Sequence, residues 1–234
     1  VVLGCVGEDK VREERTMIIK RIKLENYTVF EDHQIEFDPG INIFIGENGT
    51  GKTHLFKVLY SACQCVDQRV SFSHKLVSTM LPDDYKISRL ITRKQGNRSA
   101  LIRIFAGERD VTQERVLSAS FHGKTKKWDA EVTGEKGWDE PESNINPSYI
   151  SIIVELLLEL QRKGVQVFVS THDYMIASYF EVRKAKNDSI AFHSLSHVGK
   201  TCDLIYKKKE KFADLKNNAI VSAFDKLLDE IYDL

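Results

Sequence analysis

Residues 46–53 have the types and the spacing of a loop that binds phosphate. The segment reads Gly-Glu-Asn-Gly-Thr-Gly-Lys-Thr, and the fixed positions of the pattern G-x-x-x-x-G-K-[ST] are filled by Gly46, Gly51, Lys52 and Thr53. Glycines let backbone N–H groups turn toward an anion without a Cβ in the way, and a helix N-terminus adds partial positive charge at the same point. The pattern therefore predicts that this loop holds the phosphates of a nucleotide.

Two side chains of the loop have distinct predicted roles. Lys52 is expected to neutralise the β- and γ-phosphates, and the hydroxyl of Thr53 is expected to hold Mg²⁺. The full set of predicted nucleotide contacts is Gly46, Glu47, Asn48, Gly49, Thr50, Gly51, Lys52, Thr53 and His54. The alternative is a tight glycine-rich turn from strand to helix that binds no ligand.

Around this loop the hydrophobic pattern predicts an α/β fold. A buried strand at 41–45 precedes the loop, and a helix follows from Lys52 to about Cys65. The other predicted elements, in chain order, are antiparallel strands at 17–24 and 34–37, a helix at 73–80, strands at 87–92, 100–105, 116–121 and 127–132, a helix at 148–163, a strand at 165–170, a helix at 173–180, strands at 190–195 and 203–207, and a helix at 218–232.

These elements predict one domain with an inserted lobe. Residues 1–16 are expected to be an N-terminal extension before Met17, and residues 17–234 to form a single domain. Within it we expect three parts in chain order: a phosphate-loop half at 17–85, a β-rich lobe of hairpins at 86–137, and a second half at 138–234.

The composition is that of an ordinary globular protein. Hydrophobic residues make up 42% of the chain, and 34 basic side chains balance 34 acidic ones, so net charge does not point to nucleic acid or to a membrane. The lysine-rich runs at 124–127 and 207–211 are expected to be solvated turns. No apolar run long enough to span a membrane is present, so we expect a cytoplasmic protein with no membrane partner and with reduced cysteines.

A second set of chemically capable residues lies in the last hundred residues of the chain. Asp139 and Glu140 form a carboxylate pair in which the first is expected to hold Mg²⁺ and the second to polarise the attacking water. Taken alone, an Asp-Glu-Pro triplet is a polar turn, and His172 is a loop histidine. The order of these motifs after the phosphate loop favours the nucleotide interpretation.

Five segments together resemble the ATPase heads of the ABC superfamily, in its RecF/SMC-like branch of AAA-type ATPases. They are Ile22–Tyr27, Gly46–Thr53, Asp139–Glu142, Ser143–Pro147 and Ser170–Asp173. The resemblance implies an α/β P-loop NTPase fold, with a mixed central sheet flanked by helices and a β-hairpin-rich lobe. It also implies ATP and Mg²⁺ as cofactors.

The resemblance also implies roles for single residues. Asp139 would be the Mg²⁺ carboxylate, Glu140 the general base and His172 the switch that contacts the γ-phosphate. Residues 143–147 would meet a second subunit, because in such heads two subunits enclose two ATP molecules. A homodimer on ATP binding is therefore expected, and DNA or a partner protein is left open.

The chain departs from the family pattern in several places. Thr28 stands where a basic residue often follows Tyr27, and the glutamine that senses Mg²⁺ is not assigned. The helical signature lobe is missing, and residues 132–138 are too polar to be the buried strand that should end at Asp139, which we expect beside the loop strand. A segment of the family pattern is therefore expected to be absent near residue 137. Either it is deleted from this chain, or the structure shows a gap between Gly137 and Trp138.

Three functions remain open at this point. The first is a Mg²⁺-dependent ATPase head that dimerises on ATP and uses hydrolysis to drive a conformational change. The second is a module in which nucleotide clamps a dimer or a partner with negligible turnover, because the signature motif is missing. The third is a remnant domain whose loop binds nothing.

Overall fold

The structure, a computed structural model, describes residues 2–5, 17–65, 71–93, 99–109, 111–123, 150–197, 204–215 and 219–232. The chain divides into two units, of which the first contains residues 1–4, 40–52 and 139–234 and the second contains residues 5–39 and 53–138. The division falls between Lys52 and Thr53, inside the phosphate-loop motif.

The helices and strands of the described residues follow the hydrophobic pattern closely. The strands are β1 (Val2–Cys5), β2 (Met17–Tyr27), β3 (Phe30–Glu36), β4 (Ile41–Gly46), β5 (Ser99–Glu108), β6 (Arg115–His122), β7 (Gln166–Thr171), β8 (Ile190–His197) and β9 (Leu204–Lys209). The helices are α1 (Lys52–Gln64), α2 (Phe72–Met80), α3 (Ile150–Arg162), α4 (Tyr174–Arg183) and α5 (Ala219–Tyr232). The α/β class predicted from the sequence is confirmed.

The first unit contains a five-stranded sheet with the order β1-β7-β4-β8-β9. Strand β4 pairs in parallel with β7 on one side and with β8 on the other, and β9 pairs antiparallel with β8. All residues of β4 and β7 are buried, as expected for parallel strands covered on both faces. The expectation that the strand ending at Asp139 lies beside the loop strand is wrong, because β7 and β8 occupy both edges of β4.

The core of the first unit lies against this sheet. Apolar residues at helical spacing on α3, such as Val154 and Leu158, are buried together with Ala177 and Phe180 of α4. They pack with the isoleucines of β4 and with Val167 and Val169 of β7 in one cluster. The centre of the sheet, where β4 leads into the phosphate loop, therefore lies inside this packed core.

The second unit is built on a four-stranded antiparallel sheet with the order β3-β2-β5-β6. The predicted pairing of the first two strands and the hairpin of β5 and β6 are both confirmed. The strand predicted at 87–92 is wrong, because Ile87–Leu90 is a 3₁₀ helix, and only Ile91 pairs with Tyr27. The buried residues there, Ile87 and Leu90, are three apart, which is the period of a 3₁₀ turn.

Other sequence-based expectations concern the cysteines, the membrane and the region before Asp139. Cys63 is disulfide-bonded and Cys65 is a free thiol, so the expectation of reduced cysteines is wrong for Cys63, whose sulfur is bonded to another cysteine. Within the described ranges, no helix combines the length and the apolar character needed to cross a membrane. The strand predicted at 127–132 and the gap predicted between Gly137 and Trp138 lie outside the described residues.

A network of hydrogen bonds around a buried histidine connects three strands of the first unit. His193 of β8 is fully buried, and its ring stacks on Phe44 of β4 with the ring centroids 4.4 Å apart. Its Nε2 lies 3.0 Å from Oδ1 of Asn42, and its Nδ1 lies 2.9 Å from the hydroxyl oxygen of Tyr206. An amide oxygen only accepts hydrogen bonds, so Nε2 carries the proton and Nδ1 of the neutral ring accepts from Tyr206.

The buried His193 makes the stability of the first unit depend on pH. Burial, followed by the nearby Lys208, lowers the pKa of His193 from 6.5 to about 3. Between these values the unfolded chain binds a proton that the folded chain does not, so stability is complete above pH 6.5 and falls as the pH drops toward 3. The slope should reach roughly 1 kcal/mol per pH unit, measured by urea unfolding at several pH values.

The matched comparison for this prediction is a pair of histidine variants. His193→Gln removes the buried titrating group, and His74→Gln removes an exposed histidine of α2. We expect the acid-side slope to decrease in the first variant and to stay at the parent value in the second. An unchanged slope in His193→Gln would show that other groups cause the loss of stability in acid.

Candidate phosphate-binding site

The phosphate loop follows β4, and steric constraints explain why its glycines are needed. A Cβ on Gly46 would lie 2.1 Å from the carbonyl oxygen of Leu195 in β8, so only glycine fits at this position. Gly49 and Gly51 have φ angles of 83° and 90°, which side-chain-bearing residues rarely adopt. The loop conformation therefore depends on Gly46 and Gly51, which the sequence pattern fixes, and on Gly49, which lies between them.

Lys52 closes the loop from the inside. Its Nζ donates hydrogen bonds to the carbonyl oxygens of Gly46 at 2.7 Å and Glu47 at 2.8 Å, and lies 3.4 Å from Oγ1 of Thr50. The hydroxyl of Thr50 in turn donates to the carbonyl oxygen of Glu47 at 2.9 Å. The lysine is only 6% exposed, so a positive charge is held inside a ring of backbone whose tip is open to solvent.

The tip of the loop is accessible, and the first turn of α1 follows it directly. Glu47, Asn48 and Gly49 are exposed, and so is Thr53. His54 is half-buried, and its pKa is lowered by burial and then by Lys57, so its imidazole is neutral at pH 7. We expect His54 to contribute hydrogen bonding or shape rather than charge.

The structure places His172 at the same edge of the sheet as the loop. In the parallel pairing of β4 with β7, Ile45 lies opposite Thr171, so Gly46, the last residue of β4, is at the same level as His172, the first residue after β7. Gly46 and His172 both line one open groove of about 420 Å³. The complete lining is Gly46, Glu47, His172, Asp173, Tyr174, Ala223, Phe224 and Leu227.

The groove brings together part of the predicted site and adds residues that the sequence analysis did not single out. Gly46, Glu47 and His172 were predicted, whereas Tyr174 and Phe224 were not. The two rings stack with centroids 4.2 Å apart. No pattern in the sequence relates Tyr174 to Phe224, because they belong to different helices. Asp139, Glu140 and residues 143–147 lie outside the described residues.

The loop geometry fits a phosphate group. It offers backbone N–H groups, two glycines with left-handed φ angles, one buried cation and the start of a helix. Among the described residues, no group of three His, Cys, Asp or Glu side chains is arranged to hold a metal ion. That result is compatible with Mg²⁺, which proteins usually bind through one or two side chains together with the phosphates of the substrate.

Comparison with known proteins gives relatives over part of the chain. The chain is 34% identical over 88 residues to the DNA replication and repair protein RecF of Streptococcus agalactiae serotype Ia, covering 38% of this chain and 24% of the relative. It is 47% identical over 49 residues to RecF of Phocaeicola vulgatus, covering 21% of this chain and 13% of that protein. The chain therefore spans about a quarter or less of these relatives' lengths.

A solved structure covers more of the chain at lower identity. The SMC head domain from Thermotoga maritima is 10% identical, covers 82% of this chain and 99% of its own, and has a TM-score of 0.46.

The family model reaches nearly the whole chain. The model described as an AAA domain matches residues 21–233, which include the phosphate loop, the carboxylate pair and His172. The chain therefore belongs to the AAA domain family.

Proposed function

We propose that this chain binds ATP with Mg²⁺ and hydrolyses it as a head domain in which two copies close around the nucleotide. The observation that carries the proposal is the closed phosphate loop, in which Lys52 is held by Gly46 and Glu47 inside a ring of backbone. In this proposal the ammonium neutralises phosphate charge, and backbone N–H groups of the loop bind phosphate oxygens.

The other proposed roles concern the γ-phosphate, Mg²⁺ and the attacking water. His172, which lines the same groove as Gly46 and Glu47, is proposed to contact the γ-phosphate. Thr53 and Asp139 would hold Mg²⁺, which would neutralise charge on the phosphates during transfer. Glu140 is proposed to accept a proton from the attacking water. They are the roles that the resemblance to ABC-type ATPase heads implies, and membership of the AAA domain family supports them.

The test is steady-state phosphate release by the full chain in Mg-ATP, compared between the parent, Glu140→Gln and Glu142→Gln. Loss of a general base is expected to reduce kcat by roughly 100-fold or more in Glu140→Gln. Glu142→Gln is the matched control, because it makes the same chemical change two residues away and is expected to leave kcat within about twofold of the parent.

The alternative function has its own outcome in this experiment. If the parent binds ATP but releases no phosphate above the blank, the chain is a nucleotide clamp. The missing signature motif favours this second candidate, because that motif completes the site of the opposite subunit in the family that the chain resembles.

Light scattering with and without Mg-ATP tests dimerisation. Since the curated relatives are named for DNA replication and repair, duplex DNA is the first partner to test for stimulation of turnover.

A further inference from the structure

His172 lies in a four-residue turn, here named the switch turn, that connects Thr171 at the end of β7 with Tyr174 at the start of α4. Thr171 is fully buried, and its Oγ1 accepts a hydrogen bond from the backbone N–H of Asp173 at 3.0 Å. This bond spans His172, since it joins the residue before the histidine to the residue after it. The hydroxyl of Thr171 therefore restricts the backbone on both sides of His172.

The other end of the switch turn is held by a cap and by aromatic rings. Asp173 is the N-cap of α4, and its Oδ1 accepts from the backbone N–H of Met175 at 2.7 Å. The ring of Tyr174 stacks on Phe224 of α5 with an interplanar angle of 8° and centroids 4.2 Å apart. It also packs at a tilted angle against Phe212, with centroids 5.4 Å apart. Offset stacking of this kind favours one ring position over others.

Phe224 is notable because α5 makes few other buried contacts. Most residues of α5 that the structure describes are exposed, including Leu227 at 50% and Tyr232 at 82%. Phe224 is one of its half-buried residues, and it lines the groove that contains His172 and Gly46. Its ring therefore connects a largely exposed helix to the residues beside the phosphate loop.

We propose that Thr171 and Phe224 are positioning residues for His172: the threonine through its hydrogen bond across the switch turn, and the phenylalanine through its stack on Tyr174. Neither side chain needs to touch the nucleotide. Their effect is to keep the imidazole where it can meet the γ-phosphate, so the inference depends on the proposed function. Small displacements of a catalytic group have large effects on rate and smaller ones on binding.

Two pairs of variants test this inference in the full chain. Thr171→Val removes the hydroxyl at nearly constant volume, and Thr171→Ser restores it. Phe224→Leu removes the aromatic stack but keeps an apolar side chain, and Phe224→Tyr restores the ring. Tyr232→Ala is the control on the exposed end of α5. We expect kcat to fall roughly tenfold in the first member of each pair, with ATP affinity within about twofold of the parent and recovery in the second member.

The comparison with His172→Ala separates positioning from simple support of the fold. If Thr171 and Phe224 act through His172, adding either variant to His172→Ala causes no further loss of kcat, because residues that act as a unit are not additive. Parent turnover in Thr171→Val and Phe224→Leu would overturn the inference. So would an equal further loss in the His172→Ala background.

A readout besides activity keeps the test independent of the proposed function. If the parent releases no phosphate, the proposed function fails, and the imidazole NMR signals of His172 become the measurement. We then expect ATP to shift these signals in the parent and in Thr171→Ser, and to shift them differently in Thr171→Val and Phe224→Leu. Identical shifts in all four proteins would overturn the positioning roles.

Discussion

Replacing Lys52 with alanine should reduce ATP affinity by roughly 100-fold, because a hydrogen bond to a charged group contributes about 1.5–3 kcal/mol and Lys52 also holds the loop together. Its Nζ bonds to the carbonyl oxygens of Gly46 and Glu47, so the variant loses the buried cation and the two bonds that close the loop. Isothermal titration calorimetry of the purified chain with Mg-ATP measures the effect directly.

Lys57→Ala is the matched control for this prediction. Lys57 lies on the same helix, is only partly buried and occupies no position of the loop motif, so its loss should leave ATP affinity within about twofold of the parent. ATP affinity unchanged in Lys52→Ala would remove the loop from the nucleotide site. An equal loss in both variants would instead indicate a general effect of charge on α1.

Gly46→Ala should affect both folding and ATP binding. The added Cβ would lie 2.1 Å from the carbonyl oxygen of Leu195, a backbone atom that cannot move without shifting β8 away from β4. Overpacking of this kind typically costs about 1–3 kcal/mol, and the close backbone contact places the expected loss at the upper end. Urea unfolding measures the stability, and calorimetry measures the loss of ATP binding that follows from a displaced loop.

Gly123→Ala makes the same chemical change where there is room for it. No heavy atom lies within 4 Å of a Cβ built on Gly123, so its stability should stay within about 0.5 kcal/mol of the parent. A Gly46→Ala protein that unfolds at the parent urea concentration and binds ATP normally would contradict the close packing of β4 against β8.

Much of the fold follows from local patterns in the sequence. The apolar residues of α3 recur at the helical period, and Val154 and Leu158 are buried as that period requires. Strand β4 is apolar along nearly its whole length, which is typical of a parallel strand covered on both faces. The prediction of a strand at 87–92 was wrong because a short segment with two buried residues three apart does not distinguish a strand from a 3₁₀ turn.

The order of the strands depends on information that these patterns do not contain. The period of a strand shows which face is buried, but not which strand lies at each edge. The expectation that the strand ending at Asp139 flanks β4 was wrong for this reason, since β7 and β8 are both suitable apolar strands and they occupy those edges. Only the packed structure decides among several buried strands.

The phosphate loop is the part of this protein that the sequence determined by itself. Its chemistry depends on consecutive residues: glycines with left-handed φ angles, a helix start and a lysine that reaches back to the carbonyl oxygens of its own loop. The contact of Gly46 with Leu195, the hydrogen bonds of His193 and the stack of Tyr174 on Phe224 were decided by tertiary structure. Each joins residues far apart in the chain, so each exists only after the sheet and its helices have packed.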